Sequence, residues 1–180
     1  MRRMLGVIVV GVALALSGCS GDALGYAAAG RSQTTLPDRY DHVLAGVPLQ
    51  NTGDGDLELL RIIPLGVENV EIGRTAVTPV QLLDDGIRMS IGASPWLLEG
   101  TDRAAWRERE TLAGFVLSPS EETDWTAVYE IRWIDDSRVG RVAGVEVVYR
   151  RSGLQFSETI DAGVCFSPVG AESACDVRSD

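Results

Sequence analysis

From Trp125 to Trp133 the chain alternates: Trp125, Ala127, Tyr129, Ile131 and Trp133 fall on one side of an extended backbone, and Thr126, Glu130 and Arg132 fall on the other. A period of two does not fit an amphipathic helix and defines a strand with one buried face. A single strand cannot hide that face in water, so the rest of the chain has to supply strands that pair with it and pack over it.

The chain supplies them as short apolar runs separated by turn residues. Val43 to Gln50 and Leu57 to Leu65 flank Asn51-Thr52-Gly53-Asp54-Gly55-Asp56, a turn that predicts a hairpin between them. Val67 to Val77 follows with weaker alternation, and Val80 to Ile91 is interrupted by Asp84-Asp85-Gly86 and reads as another hairpin. Leu112 to Leu117 is an apolar run stopped by Ser118-Pro119. Val145, Val147 and Tyr149 alternate with Glu146, Val148 and Arg150 before Ser152-Gly153 turns the chain towards Phe156 and Ile160. Helix is expected in one place, Thr101 to Glu110, where Thr101 can cap the run Ala104, Ala105, Trp106. Turn signals at intervals of roughly 8–15 residues, with no long amphipathic helix, predict an all-β antiparallel sandwich of seven to eight short strands over residues 41–180.

The N-terminal end follows different rules. Arg2 and Arg3 precede Leu5 to Leu16, a run of Leu, Gly, Val, Ile and Ala without a charge. That run matches a secretory h-region and is shorter than the roughly 20 apolar residues a membrane-spanning helix needs. It ends in Leu16-Ser17-Gly18-Cys19, which resembles the lipobox of bacterial lipoprotein precursors. The resemblance implies cleavage before Cys19 and a diacylglyceryl group on its sulfur. Residues 1–18 are then a signal peptide, and Cys19 anchors the chain on the extracytoplasmic face of the cell membrane. From Ser20 to about Leu36 the sequence is rich in Gly, Ala, Ser and Thr, so residues 19–40 are expected to form the lipidated N-terminus and a flexible tether.

Charge narrows the partners. The chain carries a net charge of −10, which becomes −12 once Arg2 and Arg3 are removed. Nucleic acid is a poor partner for such a domain, because phosphate binding depends on clustered Lys and Arg. Membrane association must come through lipid on Cys19, because an acidic domain is repelled by anionic headgroups. With Cys19 consumed, Cys165 and Cys175 remain as an even pair in an exported chain, where disulfides form and persist.

The segment Leu49 to Leu57 also resembles the early Asn-Thr-Gly turn of bacterial immunoglobulin-like domains, and Leu117-Ser118-Pro119-Ser120 before Trp125 resembles their later Pro-bearing turn. That resemblance implies a fold and not an activity.

Candidate chemistry is sparse. His42 is the single histidine, beside Asp38 and Asp41, and no Gly-x-Ser-x-Gly elbow occurs, so a surface role is expected for it. The doublets Asp54/Asp56, Asp84/Asp85 and Asp135/Asp136 lack EF-hand spacing and read as solvated turn carboxylates. No metal site and no cofactor are expected. Trp125 and Trp133 are expected in the core, which leaves Trp96 and Trp106 as candidate ligand-binding aromatics for an envelope protein or glycan. These readings favour a non-enzymatic, membrane-anchored binding or structural module. An envelope hydrolase or an accessory subunit of an envelope complex is the rival reading.

Cys19→Ser should leave the domain folded but either released, and so found in the aqueous phase of a detergent phase-partition extract, or retained as an uncleaved precursor. Aqueous partitioning of the unaltered protein would count against the anchor.

Overall fold

In a computed structural model of the chain, residues 23–25, 32–36, 42–79, 82–83, 86–87, 104, 106–120, 125–168, 170–171 and 175 are described. Cys19, Trp96, Asp84 and Asp85 lie outside them, and His42 and Ser32–Leu36 are described by backbone alone. Strand dominates. In chain order the strands are β1 (Leu24–Gly25), β2 (Ser32–Leu36), β3 (His42–Asn51), β4 (Leu57–Leu65), β5 (Val70–Pro79), β6 (Leu82–Leu83) and β7 (Gly86–Ile87). They continue as β8 (Glu110–Thr111), β9 (Val116–Leu117), β10 (Trp125–Trp133), β11 (Gly140–Val142), β12 (Gly144–Arg151), β13 (Leu154–Ile160) and β14 (Ala162–Phe166).

One sheet runs in the order β1-β3-β10-β5-β8 and the other β13-β12-β4-β9, with a smaller β11-β14-β2 sheet and the β6-β7 hairpin beside them. Pairing is antiparallel except between β14 and β2, which run parallel. The expected all-β antiparallel sandwich is therefore the fold. Its segments outnumber the expected seven to eight. Some are only two residues long, and two runs are each split where the chain bends, at Ala143 between β11 and β12 and at Asp161 between β13 and β14. At that bend a Cβ on Gly144 would lie 2.7 Å from the Ile160 carbonyl oxygen, and one on Gly163 2.8 Å from that of Val142. Only glycine lets the two backbones approach so closely.

The core forms where the strand pattern predicts. Ala127, Tyr129, Ile131 and Trp133 of β10 oppose Val47, Ala45 and Val43 of β3 and Val77, Ile72 and Val70 of β5. They join one apolar cluster with Leu57, Leu59, Ile62, Val145, Val147 and Tyr149 of the other sheet. Burial pushes the Tyr129 phenol up from its ordinary pKa.

The expectation of a half-buried β10 is corrected. Thr126, Val128 and Glu130 on its second face are buried as well, alongside Leu44, Ala76 and Thr78. Glu130 is tolerated there because a bulge places it opposite Gly73 and Arg74. Its carboxylate accepts the Arg74 N–H at 3.3 Å and lies 3.8 Å from Arg74 Nε. A second bulge, in β4 opposite Val148 and Tyr149, moves the buried positions from Leu57 and Leu59 to Ile62. It also explains why the Leu and Ile residues of that run fail to alternate.

Two further expectations change. β3 and β4 do not form a hairpin, because β3 pairs with β1 and β10 while β4 pairs with β12 and β9. Both strands are apolar enough to sit in a buried sheet, and the turn between them carries the chain from one sheet to the other. Residues 19–40 are not wholly a free tether. Leu24↔Asn51 and Gly25↔Gln50 dock β1 on β3, Ala23 and Leu24 are buried, and Ser32–Leu36 pairs along β14. Composition alone hides this, since small residues serve linkers and short edge strands alike.

Other expectations hold. Ser152 (φ 50°) and Gly153 (φ 81°) form the two-residue turn of the β12–β13 hairpin, whose twist requires positive φ at both positions. Leu82↔Ile87 and Leu83↔Gly86 pair around Asp84-Asp85. In the segment expected to be helical, Ala104, Trp106 and Arg107 are helical, and the Glu108 N–H donates to the Ala104 carbonyl at 3.2 Å.

Cys165 and Cys175 are joined, with their Cα atoms 5.8 Å apart, and both are buried. Next to the bridge, Phe166 lies against the Trp133 ring at 5.4 Å. Replacing both cysteines with Ser should cost roughly 3 kcal/mol, the chain-entropy value for a loop of about 11 residues. Urea unfolding of the double variant checks this, and alkylation of unreduced, denatured native protein should label neither position.

Candidate functional site

The site candidate is an open groove of about 480 Å³ at one end of the sandwich. It is lined by Asn51 at the end of β3, Glu110 on β8, the run Gly114 to Ser120 and Trp125 at the start of β10. Here β8 and β9, the end strands of the two sheets, are only two residues long, and the chain leaves β9 through Ser118-Pro119. Proline cannot donate to a ladder, which ends the pairing at that point.

Asn51 holds the groove together. Its side chain is buried, and Nδ2 donates to the carbonyls of Gly55 at 2.9 Å and Leu117 at 2.8 Å. Oδ1 accepts the Gly53 N–H at 3.0 Å, an Asx turn that closes the sheet-crossing loop. The Asn51 carbonyl accepts the Ser120 N–H at 3.0 Å, and Gln50 Nε2 donates to the Ser120 carbonyl at 3.2 Å. With both amide hydrogens spent on carbonyls, Asn51 shapes the groove and has no donor to offer a ligand.

The binding chemistry comes from the walls. Phe115 meets Trp125 edge to face, with ring centroids 4.8 Å apart, so Trp125 is a groove wall as well as the first core-facing residue of β10. Sequence reasoning placed Trp125 in the core alone. The available signal was its position as the first residue of the strand, where a sheet opens. Val116 is 52% exposed, and Glu110 and the Ser118 and Ser120 hydroxyls supply polar groups at the rim.

Trp106 lies outside the lining. The Arg109 guanidinium carbon sits 4.6 Å from its ring centroid, and Arg109 Nη1 donates to the Trp106 carbonyl at 2.7 Å. That face of the indole is already occupied by a cation–π contact.

The register keeps His42 away from this groove. It pairs with Arg132, nine residues along β3 from Asn51, which is about 30 Å at the usual strand rise. The Ser118 and Ser120 hydroxyls therefore cannot share a proton with it.

In the acidic turns that fall within the described residues, Asp54 and Asp135 have protein partners. Arg151 donates to Asp54 at 2.5 Å and holds its carboxyl below the usual range. The Asp135 carboxyl is likewise lowered, by hydrogen bonds from the Ser137 hydroxyl at 2.6 Å and the Ser137 N–H at 3.0 Å. Among the described residues, no group of three or more His, Cys, Asp or Glu side chains is placed to hold a metal ion.

No family model matches the chain, and no curated protein matches it. Among solved structures it is similar to a protease of Vibrio cholerae, VesB, with 11% sequence identity and a TM-score of 0.40. The match covers 81% of this chain and 32% of that one, so the chain spans about a third of that structure's length.

Asn51→Ala would remove the donors to the Gly55 and Leu117 carbonyls and open the Asx turn. At about 1–1.5 kcal/mol for each lost hydrogen bond, it should lower stability by roughly 2–4 kcal/mol. Urea denaturation checks the size of the loss. A change below about 0.5 kcal/mol, the usual scale for a surface substitution, would show that the amide is not structural.

Proposed function

We propose that the protein is a lipid-anchored, extracytoplasmic module with an immunoglobulin-like fold that binds an envelope component without acting on it. One observation carries the location: a signal-like run ending in Cys19 heads a chain whose other two cysteines form a buried disulfide. Disulfides of this kind belong to exported proteins and are rare in the cytosol.

The strand orders support the fold. Lettered as A, B, C, D, E, F and G, the strands β1, β3, β4, β5, β10, β12 and β13 give A-B-E-D in one sheet and G-F-C in the other. Constant-type immunoglobulin domains use the same order for seven strands, which supports this reading; β8 and β9 extend the two sheets beyond it. The two turns that resemble those of bacterial immunoglobulin-like domains also meet, through the hydrogen bond from Asn51 Nδ2 to the Leu117 carbonyl.

Binding is favoured over hydrolysis because the groove pairs an aromatic wall with two serines that the register keeps far from His42. A flat aromatic face flanked by hydroxyls and a carboxylate suits a glycan or an extended polypeptide segment.

Mass spectrometry of the mature protein tests the anchor. The expected N-terminal residue is Cys19 bearing a diacylglyceryl thioether, and an unmodified Cys19 or a retained 1–18 segment would overturn it. A photo-crosslinking residue at Val116, used on intact cells, should capture an envelope component, whereas the same residue at Ile134 should not.

A further inference from the structure

The register of β1 fixes more than an edge strand. Ala23 and Leu24 are buried, the Ala23 carbonyl accepts the Thr52 N–H at 2.9 Å, and Leu24 pairs with Asn51. Three residues, Ser20, Gly21 and Asp22, separate Ala23 from Cys19. Fully extended, that connection reaches at most about 14 Å. We propose that the acylated Cys19 holds the β1 end of the sandwich against the bilayer, so that the groove opens onto the headgroup surface of the membrane in which the chain is anchored. The inference rests on the lipid-anchor reading above and adds an orientation to it.

The surface at that end fits a lipid interface better than the rest of this acidic chain does. Val116 and Leu154, 52% and 66% exposed, both lie there: Val116 pairs with Glu58 at the start of β4, and Leu154 pairs with Arg151 beside the hairpin turn. Trp125 adds an aromatic ring, a side chain favoured at the membrane–water boundary. Two of the carboxylates at this end are neutralised locally, Glu58 by Arg150 at 2.6 Å and Asp54 by Arg151 at 2.5 Å. The charge that would repel anionic headgroups is thereby reduced where contact occurs.

The opposite end exposes Ile134 and Val67, but β10 lies between them and the anchor. Its nine residues span about 27 Å, well beyond the reach of the connection. The short connection also restricts self-association. An antiparallel pairing of two β13 edges in one membrane would put the partner's anchor end at the far end of the sandwich, beyond its own tether.

The test uses the full lipidated protein, purified from the envelope in detergent and returned to phosphatidylcholine vesicles that contain headgroup-spin-labelled lipid. Val116→Cys, Leu154→Cys, Val67→Cys and Ile134→Cys are each labelled with a fluorophore without reductant, which leaves the buried Cys165–Cys175 bridge intact. Quenching should be severalfold stronger at positions 116 and 154 than at 67 and 134. Equal quenching at the two ends, or the reverse order, overturns the orientation. Flotation of the vesicles is scored separately: protein that fails to float refutes the anchor and the orientation with it, whereas floating protein with equal quenching refutes the orientation alone. Inserting about 20 Gly and Ser residues between Gly21 and Asp22 gives a coil of roughly 25 Å and should abolish the difference without affecting flotation. A difference that survived the insertion would overturn the short tether as its cause.

Discussion

A single buried amide carries a large share of this architecture. Asn51 lies where β3 ends, where β1 docks, where the chain crosses to the second sheet and where the loop after β9 returns. Backbone carbonyls withdrawn from water need partners, and those of Gly55 in the loop and Leu117 at the end of β9 both accept from this amide. The amide supplies both donors and takes the Gly53 N–H in exchange. Asparagine suits the position because its side chain gives two donor hydrogens and an acceptor, whereas serine has a single donor hydrogen and an ionised aspartate has none. The groove adjoins this arrangement: Asn51 lines it, and further bonds from Asn51 tie down Leu117 and Ser120 on its wall.

The second organising element is β10, which is buried on both faces and is paired on both sides. Its core face is apolar throughout, while its other face carries Thr126 and Glu130, each of which needs a compensating contact. The bulge in β5 lets Glu130 remain near Arg74 without leaving the sheet. The bulge in β4 performs a different task in the facing sheet, changing which residues point inward partway along the strand. Both sheets thus depart from strict alternation, in one case to keep a charge and in the other to keep the core filled.

Read as a surface, the molecule has two dissimilar ends. One gathers β1, the groove and two ion-paired carboxylates. The other gathers the Asn69 side chain, which donates to the carbonyls of Asp135, Arg138 and Val139, and the indole of Trp133, which donates to the Arg138 carbonyl at 2.9 Å. The second end is closed by its own hydrogen bonds, whereas the first leaves a depression with aromatic walls.

The sequence by itself determined the fold class, the β12–β13 hairpin, the core-facing residues of β10 and the cysteine pairing. Each depends on local information: a two-residue period, turn residues with the required φ, or the cysteine pair left once Cys19 is read as a lipidation site. Tertiary structure alone decided which strands pair beyond the β12–β13 and β6–β7 hairpins. Asn51 to Asp56 has the chemistry of a hairpin turn, yet it joins strands of different sheets, because Val43 to Leu49 and Leu57 to Leu65 are each apolar enough to be buried beside more distant partners. It also decided that part of a small-residue stretch would dock as β1, and that Trp125, one of four tryptophans, would stand at a groove while Arg109 covers Trp106. Those outcomes depend on contacts between residues far apart in the chain, and no local pattern encodes the free energy of a partner that folding has yet to bring near.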